Sequence, residues 1–166
     1  MICEVLHYPD ERLAEKSKPV EEITEEIKEL AAGMVETMYK EDGIGLAAPQ
    51  VGALYRLVVI DVSGPEVRND LMTLVNPVIV TAEGSCDSEE GCLSVPGYRA
   101  KVKRSETVTV KAQDLEGNDI TIEADGMLAI CLQHEIDHLD GVLFIDKISR
   151  LKRSMYDKKV KKWMKR

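Results

Sequence analysis

Aromatic residues are scarce: one Phe, one Trp and five Tyr make up 4% of 166 residues. A core poor in rings must be filled mainly by Val, Ile, Leu, Ala and Met. Hydrophobic residues reach 44% and charged residues 31%, the balance of a globular chain long enough to bury one real core. No apolar run approaches the roughly 20 residues that cross a bilayer, so no membrane span is expected. The N-terminal stretch, MICEVLHYPDERL, lacks a basic segment followed by an apolar one. It does not read as a secretory signal, and a cytoplasmic location is expected. Cysteines number four, Cys3, Cys86, Cys92 and Cys131, with no C-x-x-C pair, which argues against a zinc ribbon. Without a secretion signal, two disulfides are not expected either. Repeats and low-complexity linkers are missing as well, which predicts a single domain: a body over residues 1–146 and a C-terminal basic helix over 147–166.

Charge is present in both signs but unevenly placed. Residues 147–166 hold ten basic residues and one acid, Asp157, for a charge of +9; the rest carries −17, within a net −8. An acidic body argues against specific DNA binding, while the tail is suited to a polyanionic surface. Ile148, Leu151, Met155, Tyr156, Val160, Trp163 and Met164 would form a broad apolar side on a tail helix.

Ile23, Ile27, Leu30, Met34 and Met38 recur at spacings of 4, 3, 4 and 4, which predicts a helix over about 21–40. Strand-like segments follow: RLVVIDV from Arg56, LMTLVNPVIV from Leu71, T-V-T-V-K over 107–111 and I-T-I-E over 120–123. The L-E-G-N run at 115–118 reads as a hairpin turn. Asp125 is a candidate N-cap for a helix over 126–139, closed by Asp140 and Gly141. The pattern is α+β, with small mixed or antiparallel sheets around that second helix, rather than a regular βαβ alternation.

The chemistry is concentrated in that helix, at His134-Glu135-Ile136-Asp137-His138. Histidines at i and i+4 lie about 40° apart around a helix, so both imidazoles can reach one metal ion, with Glu135 at the border of the same face. Two satisfied histidines on a polar face are the bland alternative, but only three histidines exist in the chain and two fall here. A zinc protease with this motif needs a third ligand, commonly a downstream Glu or His. None follows His138, so the third ligand is sought upstream, where Glu90-Gly91-Cys92-Leu93-Ser94-Val95-Pro96 lies.

At these residues the sequence resembles the bacterial peptide deformylases. That family carries E-G-C-L-S, whose Cys joins an H-E-x-x-H helix, and a glycine-rich motif present here as Gly43-Ile44-Gly45-Leu46-Ala47-Ala48-Pro49-Gln50. All three motifs stand in the family's order, and the likeness runs from His7 to Asp146. The resemblance implies a site of Cys92, His134 and His138 holding one ferrous ion, with Zn²⁺ or Ni²⁺ able to replace it in purified protein. It implies hydrolysis of the formyl group from N-terminal formylmethionine. In that scheme a metal-activated water attacks, Glu135 is general base and acid, and the Gln50 amide and Leu93 N–H stabilise the oxyanion. It also implies a methionine pocket of Ile44, Met127, Ile130, Cys131 and His134. On a helix, 127, 130, 131 and 134 share one face, which supports this independently. Ile44, Gly45 and the loop at Gly91 would pair with the substrate backbone, and Arg99 is expected to form an ion pair with Glu90 at the rim. The basic helix would dock on the ribosome near the exit tunnel. Two readings compete: an H-E-x-x-H peptidase cutting internal bonds, and a closed, non-catalytic metal site.

The ligand set has a direct test. Replacing Cys92, His134 or His138 with Ala should abolish stoichiometric metal binding as measured by elemental analysis. Full metal and full activity in Cys92→Ala would show the assignment to be wrong.

Overall fold

The computed structural model describes residues 2–164. The first helix, α1 (Glu25–Lys40), starts later than the apolar spacing suggests. Thr24 is its N-cap: the Thr24 hydroxyl accepts from the Ile27 amide at 3.3 Å, which leaves Ile23 ahead of the helix. Next come β1 (Gly45–Ala47), a 3₁₀ turn over Ala48–Val51, β2 (Leu57–Ile60), the one-turn helix α2 (Gly64–Val67) and β3 (Met72–Glu83). The hairpin β4 (Cys86–Cys92) and β5 (Val95–Arg104) precedes β6 (Thr107–Gln113) and β7 (Asp119–Asp125). Two helices close the chain, α3 (Gly126–Leu139) and α4 (Arg150–Met164). The fold is α+β as expected, with every strand pair antiparallel: a five-stranded sheet in the order β1-β2-β3-β6-β7 and the separate β4–β5 pair.

The five-stranded sheet is covered on both faces at β2. The Leu-Val-Val-Ile run of β2 is buried at all four positions. Val58 and Ile60 pack toward α3 with Val110, Ala129, Leu132 and Ile136, while Leu57 and Val59 pack toward α1 with Ile27, Met34 and Met38. A strand covered on both sides reads as a continuous apolar run, whereas β6, with one covered face, alternates. Asp125 stands at the N-cap position of α3 but its side chain makes no capping bond. At the other end, Gly141 has φ +75°, and a Cβ there would run into the Ala14 carbonyl, so the turn closing α3 requires glycine.

Most of the few rings are gathered in a third cluster between the β4–β5 hairpin, residues 144 and 145 and α4. Tyr98, Phe144 and Tyr156 pack there with Val95, Val102 and Val160. Tyr98 and Tyr156 are 4.8 Å apart centroid to centroid, and Tyr8 stacks on Tyr156 at 5.9 Å. Arg153 pairs with Asp146, and the Tyr8 hydroxyl donates to Asp157, fastening α4 to the body. The broad apolar side expected on the tail is therefore divided. Tyr156 and Val160 face inward, whereas Leu151 is 72% and Met155 58% exposed. Lys165 and Arg166, part of the +9 segment, lie outside the described residues.

Tyr156 is 1% exposed. Tyr156→Ala should cost roughly 3–5 kcal/mol, the usual effect of emptying a large buried ring site. Urea unfolding checks this; a change below about 1 kcal/mol would mean that α4 does not belong to the cooperative unit.

Candidate active site

Helix α3 places His134 and His138 one turn apart, and the end of β4 brings Cys92 against them. His134 Nε2 lies 3.3 Å from His138 Nε2, and Cys92 Sγ lies 3.4 Å from His138 Nε2. The three donor atoms are all within 4.8 Å of one another, with no fourth acidic, Cys or His donor in the cluster among the described residues. A soft thiolate with two imidazoles suits zinc or iron.

The two imidazoles sit in different surroundings. Glu90 Oε1 accepts from His134 Nδ1 at 2.9 Å, which leaves Nε2 free to face the cluster. His138 is buried, and that burial holds its pKa well below the ordinary value, keeping it neutral. Glu90 is itself held by Arg104, whose Nε and Nη2 donate to its two oxygens at 2.8 and 2.6 Å; Arg104 Nη1 reaches Asp137 at 2.6 Å. Burial alone would raise the Glu90 carboxyl, but the Arg104 and His134 bonds outweigh it and bring it down to about 2.

Glu135 sits beside the cluster with a different environment. Its Oε1 is buried without a hydrogen-bond partner. Burial pushes its carboxyl up to about 7. A Cβ on Gly45 would come within 2.5 Å of Glu135 Oε2 and 2.9 Å of Cys131 Sγ, so the backbone of β1 reaches the carboxylate only because position 45 has no side chain. Gln50, in the 3₁₀ turn after β1, is 1% exposed. Its Oε1 accepts from the Ala47 amide at 2.9 Å, which turns its NH₂ toward Ser94 Oγ at 3.1 Å and Cys92 Sγ at 3.5 Å.

These groups open on a cleft of about 900 Å³. Ile44, Gly45, Gln50, Gly91, Cys92, Leu93, Arg99, Met127, Ile130, Cys131, His134 and Glu135 all line it. His138 is buried at the cluster and does not line the cleft. Residues 2–154 match the family described as "Polypeptide deformylase". The chain belongs to the polypeptide deformylase family. It is 54% identical over 160 residues to a peptide deformylase of Thermodesulfovibrio yellowstonii, covering 96% of this chain and 97% of that one. A peptide deformylase structure from Legionella pneumophila is 47% identical, with a TM-score of 0.93 over 99% of this chain and 96% of that one. One from Ehrlichia chaffeensis, in complex with actinonin, is 39% identical, with a TM-score of 0.90 over 97% and 96%. As a deformylase the chain is a hydrolase of formyl-peptides, and the donor cluster is where a metal ion fits.

One expected contact is replaced. Arg99 does not pair with Glu90; its Nη2 donates to the Glu89 carbonyl at 3.3 Å. Side chains alternate across β5, so 98, 100, 102 and 104 face inward with Glu90, while Arg99 is exposed on the outer face. The inward arginine is Arg104. Reading that parity forward from Glu90 and Cys92 would have identified Arg104, which the motifs alone did not. Ser94 and Asp137 were likewise inside recognised motifs without an assigned partner.

Removing Arg104 strips the buried Glu90 carboxylate of its guanidinium partner. Arg104→Met should lower stability by roughly 3–5 kcal/mol. It should also weaken metal affinity by about 10–100-fold as His134 loses its oriented partner. Metal transfer to a competing chelator measures the second effect, and affinity equal to wild type would remove Glu90 and Arg104 from the account of the site.

Proposed function

We propose that the chain removes the formyl group from the N-terminal formylmethionine of nascent polypeptides in the bacterial cytoplasm, releasing formate and a free amine. The observation that carries the reading is the meeting, in one cleft, of the Cys92-His134-His138 cluster, the unpartnered Glu135 carboxylate and the turned Gln50 amide. When bound there, a divalent ion would acidify a water and polarise the formyl carbonyl. Glu135 takes the proton of the attacking water and delivers it to the leaving amine. Gln50 Nε2 and the Leu93 N–H donate to the oxyanion as it forms.

Substrate recognition follows from the sheet edges. β1 ends the five-stranded sheet and β4 has one unpaired edge, and residues of both line the cleft. An extended peptide fits between Ile44 and Gly45 on one side and Gly91 on the other as an added strand. The methionine side chain enters the apolar wall of Ile44, Met127, Ile130 and Cys131, beside His134. Arg99 lies at the rim. A closed, non-catalytic metal site would need a fourth protein donor and would have no use for Glu135 or Gln50, and an internal peptidase is disfavoured by family membership.

The resident ion is proposed to be ferrous iron, one per chain, on the family resemblance. Intrinsic affinity at N and S ligands runs toward Zn²⁺, so zinc or nickel can replace it during purification. The partner proposed for α4 is the ribosome near its exit tunnel. Lys152, Lys158, Lys159, Lys161 and Lys162 are exposed on that helix, opposite in sign to rRNA phosphates and to the acidic body.

An amine-release assay on formyl-Met-Ala-Ser tests the activity, with metal measured on the same sample. Glu135→Gln should keep its metal and lose roughly 10²–10⁴ in rate; near-normal turnover would exclude the mechanism. Anaerobic Fe²⁺ loading should exceed Zn²⁺ loading in rate, and equal rates would contradict the iron assignment. For α4, truncation is a poor probe because it strips Tyr156 and Val160 from the core. Reversing Lys158, Lys159 and Lys162 to Glu should weaken salt-sensitive ribosome co-sedimentation while leaving turnover of the small peptide near wild type. Unchanged co-sedimentation would eliminate the docking role.

A further inference from the structure

Ser94 closes the E-G-C-L-S motif, yet nothing in the reaction scheme above uses it. It occupies the second position of the two-residue turn between β4 and β5, immediately after Leu93, and is fully buried. Both of its oxygens are engaged with neighbouring parts of the site. The hydroxyl oxygen accepts from Gln50 Nε2 at 3.1 Å, and the carbonyl accepts from the Tyr8 amide at 2.7 Å. The same N-terminal segment ties down Gln50, whose carbonyl accepts from the Leu6 amide at 2.7 Å. Residues 6–8 therefore pin, through backbone bonds alone, the two loops that carry Gln50 and Leu93.

Pinning the backbone leaves the Gln50 side chain three rotatable bonds, and its amide is placed by the hydrogen bonds it makes. The Ala47 amide, donating to Oε1, decides which end is oxygen and which is nitrogen. Nitrogen then offers two N–H groups. One is directed at Ser94 Oγ and the other toward Cys92 Sγ, at 3.5 Å, beside the metal cluster. A planar NH₂ whose first hydrogen is held has no freedom left for the second. A donor fixed before the reaction begins avoids the cost of being oriented as charge develops.

We propose that Ser94 is a positioning residue for the oxyanion donor: its hydroxyl accepts one Gln50 N–H and thereby aims the other at the substrate oxygen. The inference rests on Gln50 being the donor in the proposed reaction. It requires a hydroxyl at position 94 and no contact between Ser94 and the substrate.

A double-mutant cycle with formyl-Met-Ala-Ser separates the two claims. Gln50→Ala alone should lower kcat by roughly 10²–10³; near-normal kcat there would overturn the reading of Gln50 itself. Ser94→Ala should lower kcat about tenfold, with KM and metal content unchanged, and Ser94→Thr, which keeps a hydroxyl, should recover most of the loss. In the Gln50→Ala background the Ser94→Ala change should cost less than about twofold, because the group it aims is gone. A non-kinetic readout comes from ¹⁵N NMR of the zinc-loaded protein. Wild type and Ser94→Thr should show two sharp, separately resolved Gln50 Nε2 proton signals that exchange slowly with water, and Ser94→Ala should show them broadened or fast-exchanging. If Ser94→Ala keeps full kcat and unchanged amide signals while Gln50→Ala is slow, or if the two losses simply multiply, Ser94 has no positioning role.

Discussion

The site depends on one buried carboxylate. Glu90 belongs to the β4–β5 hairpin, His134 to α3, and no sheet hydrogen bond joins those two parts. Glu90 connects them by accepting from His134 while Arg104 compensates its charge and Asp137, on α3, takes the remaining arm of the guanidinium. Buried charge is tolerated only when paired and fully hydrogen-bonded. Once that condition is met, the geometry is strongly constrained: with the hairpin docked on the helix, Cys92 arrives two residues later against both imidazoles. The metal cluster is thus a consequence of how the hairpin is fastened, as much as of the three ligands themselves.

The second constraint is that Glu135 is buried but unpaired. β1 packs against its carboxylate at Gly45, where a side chain would collide with it. Across the cleft, Gln50 is held from three directions by Ala47, Ser94 and the Leu6 amide. An unpaired carboxylate and a fixed amide facing one cluster form an arrangement suited to a reaction in which a proton moves and negative charge develops at a fixed place.

Much of this was legible in the sequence because the chemistry lies in contiguous motifs. The H-E-x-x-H spacing reports a helix face directly, and the boundaries of α3 agree with the expected 126–139. The strand from Arg56 was visible because a β-branched run persists where both faces are covered, and the one from Leu71 because its β-branched residues continue past the buried Leu74 and Val75 to the exposed Val78 and Val80. What the motifs could not show was partnership across strands. Glu90 and Arg104 are 14 residues apart while Arg99 lies nearer in sequence, and only the inward or outward parity of β5 separates the two arginines. The tail failed for a related reason. Its apolar residues spread over more of the helix surface than the body covers, so composition alone could not distinguish buried Tyr156 from exposed Leu151 and Met155. Thr24, a cap whose value lies in one hydrogen bond, was masked by the apolar period running through Ile23.

Metal-edge X-ray absorption on the zinc-loaded protein tests the central claim most directly, that hairpin and helix jointly supply a three-ligand centre open to solvent. The account predicts one sulfur at about 2.3 Å, two imidazole nitrogens at about 2.0–2.1 Å and one light oxygen scatterer that exchanges with added anions. A shell without sulfur, or one closed by a fourth protein ligand, would contradict it.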